Sequence, residues 1–378
     1  MRLPRSERGD RGGARAKPEC PPVMIALRRR LLAWYDAGHR DLPWRLPQRA
    51  ADPYRVWIAE VMLQQTQVRT AIPYYERFVA RLPTLEALAA AHEDEVIALF
   101  GGLGYYARAR NLHAAAREAL RAHGGLPASL EALRTLPGFG PYTAGAVASI
   151  AFALPAAAVD GNVARVLARL FLVPGDPGGA RVRARLTALA QALVHPARPG
   201  DLNQALMELG AGVCGKADPR CGRCPVGSLC RARSAGRERA VPAARRRPER
   251  RALVLACAVV RRGGAILLAR RSAGGLFGGL WAPPAVDLAP GGAPPGALAR
   301  ALAREHGLRV EVGEEVARCE RTLTHRLLTL RAFRCSVRGR IRAGPRLRLV
   351  TRAGLAQLGI PAAVRALLAR VDEEEQVV

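Results

Sequence analysis

Lysine is almost missing from this sequence: Lys17 and Lys216 are the whole complement, and the rest of the 59 basic residues are arginine. Against 31 acidic residues this leaves a net charge of +28. An arginine excess in an Ala- and Gly-rich chain is also what a GC-rich genome produces, and a surface of one sign serves solubility as well. Charge therefore admits a polyanionic partner such as nucleic acid without establishing one. Long apolar runs are missing too. No segment approaches the ~18–20 apolar residues of a membrane-spanning helix, so a membrane partner is not expected. The first 22 residues lack the apolar stretch of a signal peptide, and Glu7, Asp10 and Glu19 speak against a transit peptide. Their Gly and Pro content reads as a disordered basic leader, and the protein is expected to be soluble and intracellular.

Cysteine is thin outside one short stretch. Cys20, Cys257, Cys319 and Cys335 lie singly in separate segments and read as small core or surface residues of a reducing compartment. The remaining Cys214, Cys221, Cys224 and Cys230 fall in CGKADPRCGRCPVGSLC with spacing C-x6-C-x2-C-x5-C. Four thiolates can bind tetrahedral zinc or a cubane iron-sulfur cluster. Structural zinc sites usually offer two short pairs, whereas here only Cys221 and Cys224 are closely spaced, so the spacing favours iron-sulfur.

A chain of 378 residues is long enough for two domains. From about Met24 to Val213 apolar residues recur at three- and four-residue spacing, as in Leu85, Leu88, Val96 and Leu99. The pattern predicts helices over 24–37, 54–81, 84–99, 105–123, 129–136, 142–154, 161–172, 180–195 and 201–212. The segment 231–251 carries nine arginines and two prolines with almost no large apolar residue, and reads as a basic linker. Beyond it the period changes. ALVLACAVV (252–260) and AILLARR (265–271), joined by Arg-Arg-Gly-Gly, read as a β-hairpin. A helix at 296–306, strands near 308–318, 326–335 and 347–350, and helices at 352–358 and 361–370 complete an α+β domain, followed by an acidic tail at 372–378. No internal repeat is present.

Three further motifs bear chemistry. In LPGFGPYTAGAVAS (136–149), Gly138 and Gly140 permit a tight hairpin before a helix of small residues, and the exposed N–H groups of such a helix start bind phosphate without side-chain charge. This is the helix-hairpin-helix manner of sequence-independent DNA binding. In VDGNVARVLARL, Asp160 precedes a helix and reads from the residues alone as its N-cap. In YRVWIAEVMLQQTQV, Glu60 sits among Trp57, Ile58, Val61 and Met62. Unless it points from the polar face, it is partly desolvated, which favours its protonated form and suits a proton donor. Glu60 and Asp160 would then be two carboxyls in different environments, suited to an oxocarbenium-like transition state.

LPWR (42–45), VWIAEVMLQQTQV, GLGYYARARNL (102–112), LPGFGPYTAGA, VDGNVARVLAR, NQALMELG (203–210) and the four cysteines resemble, in this order, the helix-hairpin-helix DNA glycosylases that carry a [4Fe-4S] cluster, most closely their adenine-specific MutY branch. The resemblance covers about residues 24–230. It implies a mainly α catalytic region, residues 23–230, in which Cys214, Cys221, Cys224 and Cys230 hold the cluster. It implies excision of adenine mispaired with 8-oxoguanine or G in double-stranded DNA, by a monomeric, nucleoid-associated bacterial enzyme of the cytoplasm. Glu60 would protonate the adenine, Asp160 would stabilise the charge at C1′, and Tyr142 and Asn162 would help to hold this constellation. Trp44, Arg45, Leu63, Gln204 and Met207 would line the base pocket. Gln65 and Tyr105 would enter the DNA helix, beside Thr66 and the hairpin glycines Gly138 and Gly140. The lyase branch of the superfamily carries a nucleophilic lysine where this chain has Tyr142, so hydrolysis alone is expected. A related glycosylase of other mismatch specificity, or one with lyase activity, is the alternative.

Residues 252–371 resemble the C-terminal Nudix-like domain of the same branch, most strongly in GLFGGLWAPP (275–284). A Nudix hydrolase holds Mg2+ with glutamates on one helix face. RALAREHGL (300–308) keeps Arg300, Glu305 and Gly307 but places Ala301 and Arg304 at glutamate positions, so no hydrolase activity is expected here. The Phe-Ser-His loop that reads 8-oxoguanine in the family corresponds to Leu323, Thr324 and His325.

Overall fold

The computed structural model describes residues 21–45, 52–243, 249–272, 274–288, 294–323 and 325–377. Helices are α1 (Pro22–Gly38), α2 (Pro53–Leu63), α3 (Val68–Arg81), α4 (Leu85–Ala90), α5 (Glu93–Leu99), α6 (Ala107–His123), α7 (Leu130–Thr135), α8 (Pro141–Ala151), α9 (Gly161–Leu170), α10 (Ala180–Leu193), α11 (Pro199–Glu208), α12 (Arg231–Ser234), α13 (Pro294–His306) and α14 (Ala362–Val377). Strands are β1 (Arg251–Val259), β2 (Arg261–Arg262), β3 (Ala265–Arg270), β4 (Trp281–Ala282), β5 (Ala285–Leu288), β6 (Arg309–Thr322), β7 (Arg326–Arg338) and β8 (Leu347–Thr351). A mainly helical region is thus followed by an α+β domain. No helix among the described residues is long and apolar enough to cross a membrane.

The chain divides into two compact units, Met1–Arg40 with Pro155–Ala244, and Asp41–Leu154 with Arg245–Val378. In the first, α1, α9, α10 and α11 close on a core that includes Leu27, Leu31, Val163, Leu167, Leu186, Leu193 and Leu206. The segment read as linker begins inside this core. Ala232 of α12 and Val241 are buried in it, and the Val241 carbonyl accepts from Arg169 Nε at 2.9 Å. Arginine density misleads there because small apolar residues between the charges find a surface to pack on.

In the second unit the predicted 54–81 helix is two helices, broken at Gln64–Gln67. The 84–99 helix is also two: Thr84 caps α4 through Ala87 N (3.1 Å), and His92 Nδ1 accepts from Asp94 N (3.2 Å) to start α5. The α+β part has two four-stranded sheets, one ordered β5-β1-β7-β6, the other β2-β3-β4 with β8 also on β3. The expected 252–271 hairpin is corrected here. Only β2 and β3 form it, around Gly263 and Gly264 at φ 56° and 74°. β1 belongs to the other sheet, parallel to β7 and antiparallel to β5. The reason is burial on both faces. Leu255, Cys257 and Val259 face the core that holds Leu367 and Val371 of α14, while Ala256, Ala258 and Val260 face the core that holds Leu298 and Leu302 of α13. Cys257, Cys319 and Cys335 are buried core residues, whereas Cys20 lies outside the described residues. α14 runs on through the acidic stretch, and Asp372 pairs with Arg261.

GLFGGLWAPP supplies the seam between the sheets and the helices of this unit. Trp281 is fully buried and its Nε1 donates to Asp94 Oδ2 at 3.4 Å. Arg270 reaches Glu93 at 2.9 Å and Asp94 at 3.3 Å, and Arg110 Nη1 donates to the Gly278 carbonyl at 2.8 Å. The Trp281 N–H donates to the Gly359 carbonyl at 3.0 Å, and a Cβ on Gly359 would lie 2.3 Å from Ile97 Cγ2. Gly359→Ala should therefore overpack this seam by about 1–3 kcal/mol. Thermal unfolding is expected to show a lower Tm, and an unchanged Tm would contradict the packing described.

Candidate active site and cysteine loop

Asp52 caps α2 by accepting from Tyr54 N at 2.9 Å, and Pro53 fixes the first turn. The helix is buried nearly all round, with Trp57, Ile58 and Met62 at 1% exposure or less. Glu60 is carried into this interior at 6% exposure, so it does not point from a polar face. Its partner comes from α8: the Tyr142 hydroxyl donates to Glu60 Oε2. Beside them Gln64 Nε2 donates to Thr143 Oγ1 at 3.0 Å. A carboxyl in such surroundings is shielded from water and fixed in orientation by the phenol.

The hairpin before α8 is as the motif requires. Gly138 has φ 78°, and a Cβ there would meet Asn111 Cβ at 2.8 Å. Phe139 is buried and stacked 5.1 Å from Trp57. Gly140 has an ordinary φ of −68° and open space where a side chain would be, and the start of α8 carries no side-chain cap.

Gln65 and Tyr105 are both exposed, and both are non-glycine residues in the left-handed region, at φ 57° and 50°. Thr66 is half-buried beside Gln65, its N–H donating to the Leu63 carbonyl at 3.2 Å. Between these loops lies Arg108, a buried residue the sequence reading passed over. Its Nη1 donates to the carbonyls of Val61 (2.8 Å), Met62 (3.1 Å) and Gln64 (2.6 Å), and its Nη2 to those of Leu103 (3.4 Å) and Gly104 (3.3 Å). Burial pulls its pKa down to about 10. The sequence signal was available: an arginine in the first turn of α6 opposes the helix dipole, so something other than helix stability places it there.

In the other unit Asp160 is indeed the N-cap of α9. Its Oδ1 accepts from Val163 N at 2.7 Å, and its Oδ2 from Asn162 Nδ2 at 3.0 Å. Burial raises its pKa above the ordinary aspartate value, against the hydrogen bonds from Val163 and Asn162, which lower it. Asn162 Oδ1 accepts from Arg165 Nη2 at 2.9 Å. Arg165 also donates to the carbonyls of Gly210 (2.9 Å) and Cys214 (2.9 Å). A Cβ on Gly210 would sit 2.6 Å from Asn162 Cβ, so this turn can approach only as glycine. The carbonyls are accessible because the chain widens into a π-helical turn, Leu209–Val213, just before Cys214.

Cys214, Cys221, Cys224 and Cys230 line one cavity. Burial raises the Cys224 thiol to about 11, and burial with the charges of Glu238, Cys214 and Cys230 raises Cys221. Among the described residues no three His, Cys, Asp or Glu side chains are gathered closely enough for a metal ion. Four cysteines lining one cavity are a ligand set that an iron-sulfur cluster or a zinc ion can accept. Arg169, 2% exposed, is the second residue missed: Nη1 donates to Cys214 Sγ (3.2 Å) and to the Gly215 carbonyl (2.7 Å), and Nη2 to the Lys216 carbonyl (3.1 Å).

Residues 58–192 match the HhH-GPD superfamily base excision DNA repair protein family, and residues 256–370 the NUDIX domain. The adenine DNA glycosylase of Homo sapiens is 53% identical over 219 residues, 56% of this chain and 40% of that protein. The chain spans less than half of the length of the human relative, but it covers 67% of the Mycobacterium tuberculosis adenine DNA glycosylase, at 42% identity over 207 residues and 54% of this chain. The chain belongs to the adenine DNA glycosylase family. A thermostable thymine-DNA glycosylase structure matches at TM-score 0.50 and 29% identity, covering 56% of this chain and 97% of that one.

The residues that the adenine DNA glycosylase resemblance assigns to a base pocket fall in both units. Trp44, Arg45 and Leu63 belong to the second; Trp44 is buried, edge-on to Tyr75 at 5.2 Å, and Arg45 and Leu63 are half-buried. Gln204 and Met207, half-buried on α11, belong to the first. Their neighbour Asn203 is a structural residue, Nδ2 donating to the Ala156 carbonyl (2.8 Å) and Oδ1 accepting from Ala158 N (3.2 Å). In the Nudix-like domain Leu323 and His325 form the β6–β7 turn, with His325 exposed, while Thr324 lies outside the described residues. Ala301, on the inner face of α13, is buried, where a glutamate would have no water.

The raised pKa of Asp160 has a sign that can be checked. The folded state holds the proton more tightly than the unfolded chain, so ionised Asp160 costs stability above its folded pKa, and the cost fades as pH falls towards 3.8. Asn caps helices as well as Asp. Asp160→Asn is therefore expected to raise Tm at pH 7, with the gain shrinking on acidification. A Tm lowered at pH 7 and rescued by acid would contradict the burial described.

Proposed function

We propose that this chain is a monofunctional adenine DNA glycosylase that hydrolyses the N-glycosidic bond of adenine mispaired with 8-oxoguanine or G in double-stranded DNA. The observation that carries the reading is the buried Glu60 held by the Tyr142 phenol, on the helix that follows the hairpin. Flipping a mispaired base from the stack costs a few kcal/mol, less than for a matched base. Glu60 then delivers a proton to N7 of adenine, so that the C1′–N9 bond breaks with its electron pair leaving on a neutral base. Asp160, ionised and fixed by Val163 and Asn162, stabilises the positive charge at C1′. Water adds to C1′, its proton is released, and an abasic site remains. Tyr142 offers no amine for a Schiff base, which is why strand cleavage is not part of the reaction.

The four cysteines would hold a [4Fe-4S] cluster that supplies cross-linking of the 214–230 loop rather than a chemical step. Arg169 and Arg165 secure that loop, and the loop presents Lys216, Arg220 and Arg223 towards phosphate. The Nudix-like domain reads 8-oxoguanine through the turn at Leu323, Thr324 and His325 and hydrolyses nothing. The protein acts as a monomer, in the cytoplasm of a bacterium and on its nucleoid.

Duplexes carrying A opposite 8-oxoguanine, A opposite G and T opposite G test the reading. Abasic sites are expected from the first two, with strand breaks only after alkali. Glu60→Gln should lower single-turnover excision by at least about 100-fold, the upper part of the range for general acid catalysis, while duplex binding is kept. No adenine release, or strand breaks without alkali, would overturn the proposal.

A further inference from the structure

We propose that Arg108 is a positioning residue of the excision reaction: by joining the end of α2 to the 103–104 loop, it holds Gln65 and Tyr105 in the left-handed conformations from which they enter the DNA stack. The inference rests on the reading of Gln65 and Tyr105 as the stack-entering residues.

A non-glycine residue with positive φ persists only where its surroundings leave it no alternative. Gln65 and Tyr105 are exposed, and so are not fixed by burial of their own side chains. The backbone beside each is held by Arg108. A helix leaves its last carbonyls without intrahelical donors. At the end of α2 those of Val61 and Met62, and then that of Gln64 immediately before Gln65, all accept from Arg108 Nη1. The carbonyls of Leu103 and Gly104, immediately before Tyr105, accept from Nη2. The Arg108 N–H itself donates to the Tyr105 carbonyl at 2.8 Å, and its guanidinium lies 5.6 Å from the Tyr105 ring centre. One planar group thus fixes the carbonyl ahead of each strained residue. Lysine could not, because an ammonium presents its three donors from a single point.

The test compares the full-length wild type with Arg108→Lys and Arg108→Gln on a duplex carrying adenine opposite 8-oxoguanine, with 2-aminopurine next to the adenine to report unstacking by its fluorescence. Arg108→Lys is expected to bind within about threefold of wild type, to lose roughly half or more of the fluorescence rise, and to excise adenine about 10- to 100-fold more slowly in single turnover. Arg108→Gln should be worse on both readouts. A folded Arg108→Lys with wild-type fluorescence and rate would overturn the proposal. Should neither variant fold, Gln65→Gly reads the same strain from the other side: glycine takes φ 57° freely, so Tm should rise while the fluorescence rise shrinks. A lower Tm, or an unchanged fluorescence response, would overturn it. Unstacking is read without base release, so a wild type that opens the stack and frees no adenine would refute the reaction while leaving the clamp supported.

Discussion

Shielded guanidiniums that collect backbone carbonyls are the constraint on which the functional loops of this structure depend. A carbonyl shielded from water without a donor costs about 1–3 kcal/mol, and the functional loops are rich in such groups because they are where helices stop. Arg108 takes five of them around the end of α2 and the 103–104 loop. Arg165 takes those of Gly210 and Cys214, and Arg169 those of Gly215, Lys216 and Val241. In each case the guanidinium substitutes for water at backbone groups near the end of a helix or in a loop. A chain with two lysines and many arginines is well supplied for this, since the planar fork loses little hydration and offers five donors.

The two carboxyls are placed by different physics. Glu60 is inside a helix that is apolar on nearly every face, with a phenol as its partner. Asp160 is at a helix start, accepting a backbone N–H and an amide that is itself held by Arg165. One environment suits a proton donor. The other suits a fixed anion, even though its burial raises the pKa. In the proposed reaction acid and charge stabiliser are told apart by environment, since both are plain carboxylic acids.

Local pattern carried much of this in advance. Small residues after Gly140 begin a helix at Pro141, and Asp160 caps α9 as its sequence context indicates. Apolar patterning located β3, β6, β7 and β8. What escaped was non-local. The carbonyls at the break in 54–81 accept from Arg108, 44 residues beyond Gln64, and no window around Gln64 contains it. The false hairpin came from treating β1 as a one-faced strand, although alternate residues enter two different cores. Residues 231–243 looked like linker because nine arginines in 231–251 hide Ala232 and Val241. Arg165 and Arg169 lie on an amphipathic helix where a charge ordinarily means solvent, so the half-burial of the first and the full burial of the second were not legible at all.

The claim that these guanidiniums are locked onto buried carbonyls can be read directly from side-chain N–H exchange in protein labelled with 15N-arginine. Most arginines here are surface residues and should exchange within the dead time. A few guanidinium signals are expected to persist, and Arg108→Lys, Arg165→Lys and Arg169→Lys should each remove its own. If every guanidinium signal is lost at once, or if the protected ones belong to other residues, the carbonyl clamps are not what holds these loops.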